Sequence, residues 1–252
     1  RRGLQLRPDD APVHNDLGCA LVAIRESEAA IPILERALQL RPGFGEVHNN
    51  LGNAFSRVGR GDDAIRHYEE AIRLKPAHFE ALDNLGCELV LKGRLPEAIA
   101  RFEEAIRLSP DSVKYRRDLG TALARAGRLP EAIVQFEHVA RLDPATPASH
   151  AVLGNALAAA GRWDEALARF QSALRLAPDD ADLHGNVGVA LGTLGKYPEA
   201  VVALQAAIRL RPDLIAAHNN LAQILRSLGK NLEAAHHYDE AERLRQQASR
   251  PR

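Results

Sequence analysis

The chain has 252 residues, with 33 basic and 33 acidic side chains and no net formal charge at pH 7. Nucleic-acid binders and proteins of anionic membrane surfaces usually carry a basic excess, so we expect neither kind of partner. Hydrophobic residues make up 46% of the chain, which is typical of a folded protein, and the absence of a long apolar run or a signal-peptide pattern predicts a cytoplasmic location.

A period of 34 residues organises the sequence. Within each period, apolar residues recur at spacings of three and four, which predicts two amphipathic helices. We number the positions of each unit 1 to 34 and call the helices A (positions about 1–14) and B (about 18–31). The predicted units are residues 11–44, 45–78, 79–112, 113–146, 147–180, 181–214 and 215–248.

Glycine and proline mark the ends of the predicted helices. Units 2–7 carry glycine at position 15, where a left-handed residue can end helix A. Proline at position 32 ends helix B in units 1–6. Unit 1 has Arg25 at the turn position instead, and we predict a less regular turn there.

The two ends of the sequence differ from the repeated pattern. Residues 1–10 align with the end of a helix B, so we expect a remnant of a preceding unit. In the last unit Ala235 and Glu242 replace larger apolar residues, as expected of a capping repeat. We expect residues 249–252 to be disordered.

The positions shared by the units resemble those of the tetratricopeptide repeat family. In unit 2 they are Leu51 at position 7, Gly52 at 8, Ala64 at 20, Tyr68 at 24 and Pro76 at 32. The resemblance covers residues 11–248. It implies an all-α solenoid of seven helix-turn-helix repeats that forms a right-handed superhelix, with the A helices lining a concave groove.

Polar residues recur on the A-helix face at positions 2, 5, 6 and 9. A carboxamide both donates and accepts hydrogen bonds, so a row of asparagines can bind the backbone of an extended peptide. The sequence motifs H-N-N-L-G at 48–52 and H-N-N-L-A at 218–222 resemble the repeat region of O-GlcNAc transferases. This resemblance implies such an asparagine row. The predicted partner-binding residues are Asn15, Asn49, Asn50, Asn53, Asp83, Asn84, Lys114, Arg117, Asn155, Asn186, Asn219 and Asn220.

Two features of this face leave alternatives open. Lys114, Arg117 and Arg125 form a basic spot that suits an acidic residue of a partner, whereas unit 5 is nearly apolar. The asparagines and aspartates can equally serve only to keep an exposed helix face soluble. A carboxylate clamp, which the resemblance would place on Lys at position 5, is not expected because no unit has Lys there.

No enzyme motif is present, and we predict neither catalysis nor a cofactor. The sequence lacks a phosphate-binding loop, a dinucleotide fingerprint, G-x-S-x-G and H-E-x-x-H. Cys19 and Cys87 lie two units apart, too far for a disulfide, and are predicted to be free.

Histidine is the one recurring residue with metal-binding chemistry. Five units carry it at position 4: His14, His48, His150, His184 and His218. One ring per repeat cannot share an ion, so we predict that these rings pack against helix B and that there is no metal site. The adjacent His236 and His237 are predicted to be solvated.

Three functions remain compatible with the sequence. The first is a non-catalytic scaffold that binds an extended peptide or protein segment in the groove. The second is the substrate-recruiting arm of a larger enzyme, such as an O-GlcNAc-type glycosyltransferase. The third is self-assembly through the convex face of the B helices, and the sequence leaves the oligomeric state open.

Overall fold

A computed structural model describes residues 9–249, which form fourteen α-helices. The A helices are α1 (Ala11–Ala23), α3 (Gly45–Arg57), α5 (Phe79–Leu91), α7 (Val113–Arg125), α9 (Pro147–Ala159), α11 (Ala181–Thr193) and α13 (Ile215–Ser227). The B helices are α2 (Ser27–Leu40), α4 (Gly61–Leu74), α6 (Leu95–Leu108), α8 (Leu129–Leu142), α10 (Trp163–Leu176), α12 (Tyr197–Leu210) and α14 (Asn231–Ala248).

The predicted all-α fold of seven helix-turn-helix repeats is confirmed. Every A helix covers positions 1–13, and every B helix begins at position 17, one residue earlier than predicted. Residues 1–8 of the predicted helix remnant and residues 250–252 of the predicted tail lie outside the described residues.

The turn between helices A and B has one geometry in all seven repeats. The six turn glycines have φ between 75° and 79°, the left-handed region that ends a helix. Arg25 has φ 67°, and its N–H bonds Val22 O at 3.1 Å, as Gly59 N bonds Ser56 O at 3.0 Å. The prediction of an irregular first turn is therefore wrong, because the helix packing on both sides imposes the same turn on arginine.

We expect Arg25→Gly to stabilise the protein by about 0.5–1 kcal/mol. A left-handed conformation costs a non-glycine residue about 1–2 kcal/mol, and the greater freedom of glycine in the unfolded chain offsets part of that gain. Urea unfolding followed by circular dichroism measures the change. The reciprocal Gly59→Arg should destabilise by a similar amount, and equal stability of both variants would contradict the expected strain.

Small residues at fixed positions let the two helices of a repeat approach closely. Ala98 and Ala105 are fully buried, and Phe102 is 1% exposed. A Cβ added at Gly86 would lie 2.6 Å from the Phe102 ring, so the ring occupies the space that the glycine leaves. In repeats 1, 2, 5 and 6 the glycine at position 8 is likewise in contact with the large side chain at position 24. This contact explains why position 8 is small where position 24 is large.

The chain divides after Arg128 into two units, which we describe separately. The first unit contains α1–α7 and the second α8–α14; in each, consecutive helices pack against one another. Leu82, Ala105 and Tyr115 form part of the first core, and Leu204 and Leu221 part of the second. Among residues 9–249, no helix combines the length and the apolar character that crossing a bilayer requires.

Candidate functional site

In the first unit the asparagines of successive A helices are bonded to one another. Asn50 Nδ2 donates to Asn15 Oδ1 at 2.8 Å, and Asn84 Nδ2 donates to Asn49 Oδ1 at 3.1 Å. In both cases position 6 of one repeat reaches position 5 of the repeat before it. These hydrogen bonds fix the contact between neighbouring A helices.

A second set of polar contacts extends this row along the helices. Asn84 Nδ2 also lies 3.1 Å from Asn53 Oδ1, which accepts a hydrogen bond from the Tyr68 hydroxyl at 2.8 Å. The Ser56 hydroxyl donates to the Glu88 carboxylate at 2.7 Å. Asn53 and Asn84 are half-buried, so parts of both carboxamides still face the surface.

At the contact between repeats 3 and 4, an ionic cluster replaces the asparagine pair. Asp83, at position 5, has a side chain only 2% exposed, and its carboxylate binds the Lys114 ammonium. Lys114 Nζ lies 3.2 Å from Asp118 Oδ2, and Arg117 Nε lies 3.8 Å from Asp118 Oδ1. Two of the three cations of the predicted basic spot, Lys114 and Arg117, therefore face carboxylates, and Lys114 serves the contact between repeats, whereas Arg125 is exposed.

In repeats 1–3 position 5 is buried, contrary to the prediction that it is open to a partner, whereas Arg117 at position 5 of repeat 4 is exposed. Asn15 and Asn49 are each 8% exposed, and Asp83 is 1% exposed. Their side chains are covered by the next A helix, whereas Asn50 and Asn84 at position 6 stay half-buried. The sequence prediction merged positions 5 and 6 because both lie within one broad helix face.

In the second unit the position-6 asparagines lack these partners. The corresponding position 5 of the preceding repeat is Ala151 for Asn186 and Gly185 for Asn220. Neither residue has a polar side chain, and among residues 129–249 neither carboxamide makes a hydrogen bond. Both side chains are half-buried, so neither is fully covered by the protein.

The other two predicted asparagines of this unit occupy different environments. Asn155 is exposed at position 9 of repeat 5. Asn219 Nδ2 donates to the Ile215 carbonyl of its own helix at 3.0 Å. Of the four predicted asparagines in the second unit, Asn219 bonds its own helix, and the other three make no side-chain hydrogen bond within residues 129–249.

Equivalent hollows lie between neighbouring A helices in both units. The hollow of the first unit has a volume of about 350 Å³ and that of the second about 360 Å³. Both involve positions 9 and 12 of one A helix and positions 6, 9 and 10 of the next. The first is lined by polar groups including Asn53, Ser56, Asn84, Cys87 and Glu88. The second is lined by Gly188, Val189, Gly192, Leu204, Asn220, Gln223, Ile224 and Arg226, among others.

Comparison with known proteins agrees with this repeated geometry. A family model described as the cilia and flagella-associated protein 70 C-terminal domain matches residues 44–251, and a tetratricopeptide repeat model matches residues 11–44. The chain belongs to the tetratricopeptide repeat (TPR) family represented by that C-terminal domain. No curated protein matches the sequence.

Solved TPR structures superimpose on much of this chain. YrrB, whose structure is described as a TPR protein with an unusual peptide-binding site, is 26% identical with a TM-score of 0.64, over 73% of this chain and 95% of YrrB. PilF of Pseudomonas aeruginosa is 20% identical with a TM-score of 0.71, over 84% and 97% of the two chains. MamA of Desulfovibrio magneticus RS-1 is 22% identical with a TM-score of 0.64, over 68% and 97%.

The TPR histidines at position 4 lie in the first turn of helix A, and three of them contact the loop that precedes it. His150, His184 and His218 place Nε2 at 2.9, 2.9 and 3.0 Å from the carbonyl of the proline six residues earlier. His14 and His218 are buried, as predicted, and the others are half-buried. These prolines lie two residues beyond the last residue of helix B, so each ring links the loop between repeats to the first turn of the next helix A.

Two of these rings face a second histidine at position 23 of helix B. His48 Nδ1 lies 3.0 Å from His67 Nδ1, and His218 Nδ1 lies 3.1 Å from His237 Nδ1. His236 is exposed, as predicted, whereas His237 is half-buried against His218. Burial and the neighbouring His48 lower the pKa of His67 to about 4, and burial also lowers the pKa of His237.

The two cysteines are free, in agreement with the sequence prediction. Burial, then nearby carboxylates, raises the pKa of Cys87 to about 11, so this thiol is protonated at neutral pH. Ligand atoms of Asp83, Cys87 and Asp118 lie within 4.8 Å of one another. Lys114 already supplies positive charge to both of these carboxylates, so the cluster is balanced without a metal ion.

Proposed function

We propose that this TPR chain binds an extended peptide or protein segment along its A helices and has no catalytic activity of its own. The observation that carries this proposal is the pair of unpartnered carboxamides, Asn186 and Asn220, with Asn220 at the edge of the hollow in the second unit. The similarity to YrrB, a TPR protein described with a peptide-binding site, supports the same class of ligand.

The chemistry of the two asparagines suits a peptide backbone. Each carboxamide can accept from a backbone N–H and donate to a backbone C=O, independently of the side chains of the ligand. Packed helices lie about 8–10 Å apart, and an extended chain rises about 3.3 Å per residue. Asn186 and Asn220 would therefore contact ligand residues about three apart.

The hollow adds a preference for particular side chains. Val189 and Ile224, both half-buried, supply apolar surface, whereas Leu204 is fully buried beneath Gly188. Arg226 lies at its edge and is exposed, so an acidic residue next to a medium-sized apolar residue would fit. In the first unit Tyr68 and Glu88 make the equivalent hollow more polar.

The test is the binding of a selected peptide to the full chain. Random linear peptides displayed on phage are selected against the wild-type protein, and the best peptide is then measured by fluorescence anisotropy. Asn186→Ala with Asn220→Ala should weaken binding on the order of tenfold, since each lost hydrogen bond contributes about 0.5–1.5 kcal/mol. Helicity and unfolding should stay unchanged, because neither carboxamide has a partner within its unit.

The matched control removes two other carboxamides of the second unit. Gln171 and Gln205 are exposed at position 25 of consecutive B helices, so Gln171→Ala with Gln205→Ala should leave the affinity unchanged. Equal weakening in both double variants, or unchanged affinity in the asparagine variant, would contradict the proposed site. Light scattering of the wild-type protein distinguishes peptide binding from self-assembly.

A further inference from the structure

Two repeats bring a pair of imidazole rings together across their two helices. In repeat 2, His48 of α3 faces His67 of α4 with Nδ1 atoms 3.0 Å apart. In repeat 7, His218 of α13 faces His237 of α14 with Nδ1 atoms 3.1 Å apart. The same two positions, 4 and 23, form both pairs, so one backbone geometry creates the site twice.

The surrounding hydrogen bonds determine which nitrogen of each ring carries the proton. His218 Nε2 lies 3.0 Å from the Pro212 carbonyl, and only an N–H can donate to a carbonyl oxygen. A neutral His218 therefore holds its proton on Nε2 and has a lone pair on Nδ1. That lone pair accepts from Nδ1–H of His237. In repeat 2, His48 lies near the backbone of the equivalent proline, Pro42.

We propose that each histidine pair is a chelating site for a divalent transition-metal ion of the Cu(II) or Ni(II) type. Neutral imidazole nitrogen is a preferred ligand of these ions. Histidines that bind metals typically donate their other N–H to a backbone carbonyl or carboxylate, which orients the ring. His218 already has that arrangement, with Nε2 at the Pro212 carbonyl. This site lies outside the peptide-binding surface proposed above and does not depend on it.

The separation of the nitrogens favours one class of coordination geometry. Metal–imidazole bonds are about 2.0–2.1 Å long. The ion and the two nitrogens form a triangle whose base is the 3.0 Å separation and whose two sides are the metal–nitrogen bonds of about 2.05 Å. The angle between the two bonds at the metal is then about 95°. This angle fits neighbouring positions of a square-planar or tetragonal ion better than the larger tetrahedral angle of zinc. The ion in this triangle lies about 43° off the line between the two nitrogens, so each ring turns by about that angle from its hydrogen-bonded direction to point its lone pair at the ion.

Binding requires no net loss of protons at neutral pH. When the ion enters between His218 and His237, the proton on His237 Nδ1 is lost to solvent and His237 takes up a proton on Nε2. Both rings then coordinate as neutral ligands through Nδ1. His237 is half-buried and borders the exposed His236, so solvent can reach the pair and water can complete the coordination.

Charged groups around the pairs are compatible with a cation. Near His48 and His67, the Glu70 carboxylate lowers the energy of positive charge, while Arg73 binds that same carboxylate at 2.6 Å. Near His218 and His237, Glu240 has the equivalent place and pairs with Arg243. In each repeat the glutamate is paired with an arginine, so the two charges balance. The affinity for a metal ion would therefore come mainly from the imidazole nitrogens.

Other repeats of this chain provide an internal control. His150 and His184 occupy position 4 and make the same bond to a proline carbonyl. Position 23 of their repeats holds Arg169 and Ala203, so each of these histidines lacks a second imidazole across the helix pair. Removing them tests whether any histidine of this type suffices.

The experiment is a titration of the full chain, free of affinity tags and dialysed against EDTA, with Cu(II) alone and with Ni(II) alone. Calorimetry should give two ions per chain, and electron paramagnetic resonance of the Cu(II) form should show nitrogen ligands. His67→Ala and His237→Ala should each remove one ion, and the double variant should remove both. His150→Ala with His184→Ala should retain two ions.

A loss of metal binding is informative only if the variant still folds. His67 stacks on Phe55 with ring centroids 5.3 Å apart, so circular dichroism of each metal-free variant is measured first. His48→Ala removes the same site from the opposite helix and should reproduce the loss seen with His67→Ala. An unchanged number of bound ions in the His67→Ala, His237→Ala double variant, or an equal loss in the His150, His184 control, would overturn the proposal.

Discussion

Lys114→Ala is expected to destabilise the first unit by about 3 kcal/mol. The substitution leaves the Asp83 carboxylate, whose side chain is 2% exposed, without its positive partner. Removing one member of a buried ion pair typically costs about 3–5 kcal/mol. We place this case at the low end because the Lys114 side chain is 52% exposed and water can reach part of the vacated space. Urea unfolding followed by circular dichroism measures the loss.

The contacts between earlier repeats provide a rescue for this variant. Asn15 with Asn50, and Asn49 with Asn84, close the same contact without charge. Adding Asp83→Asn and Asp118→Asn to Lys114→Ala reproduces that arrangement at positions 5 and 6. Most of the lost stability should return. A triple variant as unstable as Lys114→Ala alone would show that the buried charge is not the cause.

Phe102→Ala is expected to destabilise the same unit by about 3–5 kcal/mol, the usual range for truncating a fully buried phenylalanine. Its ring is 1% exposed and packs directly on the backbone of Gly86, so the cavity has a rigid wall that cannot collapse easily. Unfolding in urea again provides the measurement. Tyr238→Ala, at the same position of the last repeat but only half-buried, should cost less.

Gly86→Ala separates the loss of packing from a general loss of helix stability. In the wild-type background the new methyl group would lie 2.6 Å from the Phe102 ring, and overpacking of this kind costs about 1–3 kcal/mol. In the Phe102→Ala background the methyl group enters the cavity, and alanine also favours the helix. The same substitution should therefore destabilise one background and stabilise the other. Equal effects in both would contradict direct contact between these positions.

The helices and turns followed from the sequence because each repeat carries its own local signals. Glycine at position 15 determines the turn, and the pairing of Gly86 with Phe102 determines how closely the two helices pack. Arg25 shows the limit of such local reasoning. Its side chain disfavours the left-handed conformation, yet the same helix pair on both sides imposes it.

The candidate site was predicted less completely, for two physical reasons. Asn49 and Asn50 are adjacent on one helix, and only contact with the next A helix decides that the first is buried and the second is not. The pairing of His48 with His67 does not follow from the repeat pattern, because that pattern relates equivalent positions of successive repeats. The partner lies 19 residues away on the other helix of the same repeat. A search for histidine at both position 4 and position 23 would have found repeats 2 and 7.

The bond from position 6 to position 5 has a consequence for how such a chain can grow. Repeat 2 carries asparagine at both positions, so a second copy of residues 45–78 placed directly after the first would find its polar partner already in place. A duplication of this repeat would join compatible surfaces without any further substitution. Repeat 6 has Gly185 at position 5, and a tandem copy of it would leave Asn186 of the new repeat without that bond. The arrangement makes repeat 2 a self-compatible building block for lengthening the array.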